Sequence, residues 1–214
     1  MSRHLMALAL ALAACAPQVT QAPEARPLLE EKAFYPASTG LEWVYVPEGE
    51  PLSSPPYRMR VEGPAAYEGQ EALRFRVFGR GEDRTYFRQV GAFGVRLLGF
   101  QEPSARVVFS PPLLEYPPEA LLAPGGRWGG STEVRVELLT PSGREPLAQG
   151  TLAYEMEVLE EREVRVPAGT FGIYRIRQTF RDSRSQDIRE VWFAPRVGEV
   201  RTREGRILVE RNFR

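Results

Sequence analysis

The sequence predicts a mainly β protein, built as a single curved antiparallel sheet or open half-barrel with a Pro-rich lid or plug segment and little helix. Three observations carry this expectation. Apolar and charged residues alternate with period two in run after run, turn-forming residues separate the runs, and no long amphipathic helix interrupts them.

The chain opens with basic Arg3 and His4 and the apolar run Leu5 to Ala11, an n-region and h-region too short to span a bilayer. Leu12, Ala13 and Ala14 then precede Cys15, the single cysteine. This order resembles the lipobox of bacterial lipoprotein precursors, in which the signal is cut before the cysteine and the cysteine carries lipid. The resemblance implies a signal peptide at 1–14 and a membrane anchor through lipid on Cys15. The other reading is an ordinary signal cut near Ala13 or Ala14, leaving a free thiol. Both place the protein outside the cytoplasm, and Ala16 does not distinguish inner from outer membrane. Residues 15–33 form a tether, with three prolines between Ala16 and Pro27 and a short helix placed at Leu28 to Phe34. Residues 34–214 form one β-rich domain.

Within that domain Tyr57, Met59 and Val61 alternate with Arg58, Arg60 and Glu62, so one face of a strand is buried and the other wetted. Leu73, Phe75 and Val77 repeat the device, as do Val134, Val136 and Leu138, then Leu152, Tyr154, Met156 and Val158, and finally Ile207 and Val209. Glu68-Gly69, Gly79-Arg80-Gly81, Pro141-Ser142-Gly143 and Glu204-Gly205 supply tight turns between them. A charged face on strand after strand points to antiparallel sheet with one solvated side. About ten strands joined by short turns require strong curvature, because a flat sheet of that size exposes long edges. Pro111 to Gly130 reads as the longest irregular stretch, rich in proline and glycine yet apolar at Leu113, Leu114, Tyr116 and Trp128. It is expected to act as a lid over the open sheet or as a plug completing the core, and those four residues are the ligand-binding candidates.

Val164 to Phe171, with Pro167, Gly169 and Phe171, and the block from Val191 to Val200, with Trp192, Pro195 and Gly198, resemble a pattern of secreted and lipoprotein domains of bacterial envelopes. Gly125-Gly126-Arg127-Trp128 and the stretch from Tyr35 to Trp43 occupy further positions of that pattern, while Arg196 stands where a second turn-forming residue, often Gly, is expected. The resemblance implies a fold related to the half-barrels of periplasmic lipoprotein carriers and receptors, which hold acyl chains on a concave face, and it supplies no catalytic residues. On physical grounds Pro167 ends a strand, Gly169 admits positive φ and Phe171 starts the next strand inward.

Cleavage before Cys15 also removes His4, the single histidine. No Ser/His/Asp or Cys/His arrangement can then form, nor a zinc site of the usual His/Cys kind. The 28 basic and 28 acidic residues balance, against nucleic-acid binding. Glu160-Glu161-Arg162-Glu163 reads as a solvated turn rather than a carboxylate pair for acid/base work, and Asp182 to Asp187 as a polar hairpin loop rather than a calcium site. The glycines around Trp128 lack the Lys and Ser/Thr of a phosphate-binding loop. The expected protein is therefore non-catalytic, with no cofactor and no metal. It is a lipid-anchored envelope module binding a lipid or other apolar ligand on its concave face, or alternatively a structural or assembly lipoprotein that binds an envelope protein partner.

Overall fold

The computed structural model describes Leu29 and residues 33–214. The chain runs through β1 (Glu42–Pro47), β2 (Tyr57–Tyr67), β3 (Gln70–Gly79), β4 (Glu82–Gly91), β5 (Gly94–Gln101), β6 (Ala105–Tyr116), β7 (Arg127–Thr140), β8 (Gly143–Val166), β9 (Gly169–Arg181), β10 (Gln186–Ala194), β11 (Gly198–Arg201) and β12 (Arg206–Arg211). One 3-10 turn, Glu119–Leu121, accompanies them. Every strand pairs antiparallel with its neighbour in sequence, and β1 pairs with β12 as well as β2.

The barrel is thus closed, which corrects the expected single curved sheet or open half-barrel. Alternation within a strand specifies its two faces but not whether the first and last strands meet. Here they meet from Trp43 opposite Arg211 to Pro47 opposite Arg206. Asn212, the only asparagine in the chain, reinforces the closure. Its Oδ1 accepts the Glu42 N–H at 2.7 Å and its Nδ2 donates to the Gly40 carbonyl at 2.9 Å.

The Pro-rich segment is also corrected. Pro111 to Tyr116 belong to β6 and Arg127 to Gly130 to β7, leaving 117–126 as the connection. Pro111 and Pro112 are tolerated because no ladder needs their missing N–H groups. Pairing with β5 jumps from Val108 to Leu113, and pairing with β7 ends at Ser110. Below that point side chains bridge the gap between β6 and β7, as described below.

One end of the barrel is filled by the segment preceding β1. Tyr35 lies across the interior, with ring centroids 5.8 Å from Phe75 of β3, 5.6 Å from Tyr116 of β6 and 6.1 Å from Phe193 of β10. These strands lie on different sides of the barrel, so the plug is centred on Tyr35, and the Pro111 to Gly130 segment contributes Tyr116 to it. Beside it Trp43 donates Nε1–H to the Val197 carbonyl at 2.6 Å and meets Phe213 edge-on at 4.9 Å. Leu29 makes a parallel bridge to Phe213 at this same end. Of the short helix expected at Leu28 to Phe34, Leu28 and residues 30–32 lie outside the described residues, and Ala33 and Phe34 form a bend.

A smaller cluster covers part of the outer wall. Tyr67, at the tip of the β2–β3 hairpin, stacks on Phe87 at 4.1 Å and donates its hydroxyl to the Val107 carbonyl at 2.8 Å. Elsewhere the outer wall is charged. Arg58 and Arg60 pair with Glu42, Arg76 with Asp83, and Arg177 with Glu157. Such a wall is unlike the continuous apolar band of a membrane-spanning barrel.

Candidate functional site

A cavity of about 650 Å³ occupies the barrel above the aromatic plug. Strand alternation builds it. On β4, Arg84, Tyr86 and Arg88 point inward while Phe87 points out beneath Tyr67. Leu97 of β5, Leu113 and Glu115 of β6, Met156 of β8 and Glu199 of β11 complete the lower wall. The cavity reaches solvent beside the β9–β10 and β11–β12 turns, where Asp187, Arg189 and Arg203 line it with side chains 42%, 56% and 40% exposed.

The floor is polar and highly organised. Arg88 is 5% exposed, and its Nε and Nη2 donate to the two carboxylate oxygens of Glu115 at 2.5 and 3.0 Å. The guanidinium lies over the Tyr86 and Phe75 rings, 4.7 and 5.1 Å from their centroids. Its Nη1 has no hydrogen-bond partner. Burial disfavours its charge, yet Glu115 holds the guanidinium well above its usual range, so Arg88 stays protonated.

Glu199 faces the same space. The Tyr116 hydroxyl donates to its Oε1 at 2.8 Å, and the Tyr45 hydroxyl donates to its backbone carbonyl at 2.9 Å. Burial pushes the Glu199 carboxyl up to about 7, against the pull of Arg88 and with help from Glu204 and Glu115. Burial likewise pushes Tyr35, Tyr45 and Tyr116 up, so all three remain neutral phenols.

Among the ligand-binding candidates, Leu113 lines the cavity and Tyr116 lies beneath it in the plug. Leu114 and Trp128 instead brace the gap between β6 and β7. Trp128 donates Nε1–H to the Leu114 carbonyl at 3.1 Å, and the Leu114 N–H donates to the Tyr154 hydroxyl at 3.1 Å. Gly130 makes room, since a Cβ there would stand 3.2 Å from the Tyr154 hydroxyl and 3.4 Å from its ring.

Pro167 lies in the turn from β8 to β9, Gly169 has φ +136° and Phe171 packs into the core. Trp192 lies between the Arg162 and Arg201 guanidinium groups, at 5.2 and 5.6 Å. Pro195 and Arg196 form the turn into β11, with Arg196 at φ 64° where a glycine was expected. Gly198, φ +91°, leaves room for the Trp43 indole. Leu12, Ala13, Ala14 and Cys15 lie outside the described residues.

Glu160 to Glu163 lie within β8 rather than in a turn, and Glu160 pairs with Arg175 at 3.1 Å. Asp182 accepts the N–H groups of Arg184 and Ser185, each at 2.7 Å, in the β9–β10 turn. Among the described residues no group of three His, Cys, Asp or Glu is placed to hold a metal.

Sequence reasoning missed Arg88, Glu115 and Glu199. The available signal was spacing: Arg88 is two residues before Val90 and Glu115 two after Leu113, each sharing a face with an inward apolar residue.

Neither a protein-family profile nor a curated protein matches the chain. Two solved structures share part of its course. An inferred lipoprotein from Parabacteroides distasonis is 15% identical, with 85% of this chain and 99% of that one covered and a TM-score of 0.41. An inferred exported protein with a YmcC-like fold from Bacteroides fragilis is 12% identical, with 84% and 98% covered and a TM-score of 0.46. At identities this low, nothing of their chemistry transfers to Arg88 or Glu199.

Proposed function

We propose that the chain is a non-catalytic binding protein of the bacterial envelope, anchored through lipid on Cys15, whose barrel holds one small amphipathic molecule. The observation that carries this reading is the solvent-reaching cavity of about 650 Å³ inside a closed barrel. That volume falls within the range of small-ligand sites, and the lining divides evenly between apolar or aromatic side chains and polar or charged ones, as a ligand with both characters requires. Leu97, Phe100, Leu113 and Met156 offer an apolar wall, while Arg88 and Glu199 give the floor a polar end. A bare hydrocarbon chain would leave Arg88 Nη1 without a hydrogen-bond partner, so the expected lipid or apolar ligand narrows to one with a polar group. The non-catalytic reading rests on the loss of the single histidine, His4, with the expected signal peptide and on the engagement of Glu115 by Arg88.

Native mass spectrometry of the processed protein, released from envelope extract, tests this reading. The expected spectrum carries one added small-molecule mass, reduced in Leu113→Trp, whose indole narrows the cavity beside the floor. A bare parent mass under conditions that preserve lipid on a known carrier would overturn it. Incorporation of labelled palmitate, lost in Cys15→Ser, tests the anchor.

A second reading, a structural or assembly lipoprotein, is favoured by one observation. β9 pairs with β8 only from Ala153 onward, so Gly143 to Leu152 present a strand edge free on that side, with Leu147 exposed. Cross-linking in intact cells that traps an envelope protein at Leu147 would support it.

A further inference from the structure

From the floor geometry we infer that Arg88 and Glu199 form a recognition site for an uncharged carbonyl group, of the ester or amide class, at the buried end of an amphipathic ligand. The inference rests on the cavity-binding reading and specifies its polar end. Five buried side-chain atoms among the described residues lack a hydrogen-bond partner, and of these only Arg88 Nη1 belongs to a cavity-lining residue. A buried donor left unpaired costs stability, and an entering acceptor recovers it.

Charge decides what kind of acceptor fits. Arg88 and Glu115 neutralise each other through their two-point contact. Glu199 sits in a buried setting that resists a second negative charge. A ligand carboxylate would therefore bring an uncompensated anion to the floor, and a ligand ammonium would meet the Arg88 guanidinium. An uncharged carbonyl brings neither. Its oxygen can accept from the protonated Glu199 hydroxyl and, once side chains shift to uncover the buried Nη1–H, from Arg88 as well, while the apolar chain lies along Leu97, Leu113 and Met156.

The groups facing Glu199 come from several elements: Arg88 on β4, Glu115 and Tyr116 on β6, Tyr45 on β1, Tyr35 in the plug and Glu204 after β11. Arg88 keeps one charge throughout, and the phenols stay neutral. Glu199 is therefore the group that changes state near neutral pH. Its ionisation withdraws one of the two donors, so binding of a carbonyl ligand weakens as pH rises through about 7.

The test uses the whole chain carrying Cys15→Ala and three molecules with the same apolar chain: monolaurin, laurate and dodecylamine. Calorimetric titration is expected to show one monolaurin per chain, with laurate and dodecylamine weaker. Monolaurin affinity is expected to fall about tenfold from one pH unit below to one above the Glu199 midpoint. Glu199→Gln, which keeps a donor without a titration, should retain binding and abolish the pH dependence. Arg88→Met combined with Glu115→Leu, which removes the ion pair without orphaning either partner, should weaken monolaurin binding.

Equal affinity for all three molecules, unchanged by pH and by Glu199→Gln, would overturn the floor site while leaving the cavity reading in place. Binding by none of them would overturn both.

Discussion

Tyr116 and Glu199, 83 residues apart in sequence, share a 2.8 Å hydrogen bond at the base of the barrel cavity. The bond ties β6 to β11 across the interior and stabilises the Glu199 carboxylate, but burial outweighs it. The folded protein therefore holds a proton on Glu199 up to about 7, whereas the unfolded chain releases it near the ordinary 4.5. Between those values the folded state binds more protons than the unfolded state, so this group's contribution to stability falls as pH rises. The total loss is about 3 kcal/mol at most. Glu199→Gln should flatten that part of the pH profile and raise stability above neutral pH, as measured by urea unfolding across the range.

Arg88 and Glu115 form a buried pair in which neither partner is replaceable alone. Arg88→Met leaves the Glu115 carboxyl without its partner and with little access to water, and a loss of about 3–5 kcal/mol is expected in chemical denaturation. Adding Glu115→Leu should restore most of it. A double-mutant cycle that shows simple additivity would contradict this coupling.

Where β6 and β7 separate, Trp128 and Tyr154 replace missing ladder bonds at Leu114. Trp128→Phe and Tyr154→Phe should each cost about 1 kcal/mol. Faster amide exchange at Leu114 in Tyr154→Phe, with little change in the β8–β9 ladder, is the expected local signature.

The barrel closure predicts a further effect. Asn212→Ala removes both side-chain bonds to the start of β1 and should cost about 1 kcal/mol, with faster exchange of the Glu42 amide. Unchanged exchange there would show that the β1–β12 ladder alone holds the junction.

The period-two reading was most reliable where strands have one wet and one dry face. β2 shows this plainly, with Val61 buried and Arg60 exposed. It offers no reading of β4, where the barrel turns Arg84 and Arg88 inward and lets the β2–β3 tip cover Phe87, reversing the usual sides. In β12 the fully buried residue is Leu208, between the alternating Ile207 and Val209 that drew attention in the sequence. Barrel closure was equally hidden, since β1 is buried at four successive positions and carries no alternation pointing to β12. The prolines of β6 misled for a local reason: they occupy the short stretch where neither neighbouring strand requires an N–H.

The plug around Tyr35 and the bridge from Leu29 to Phe213 place the chain's entry at the sealed end of the barrel. Asp187, Arg189 and Arg203 mark the opposite end. The two ends of the barrel are therefore unlike: the base is stoppered by the segment that leads into β1, and molecules can enter or leave the interior through the charged rim.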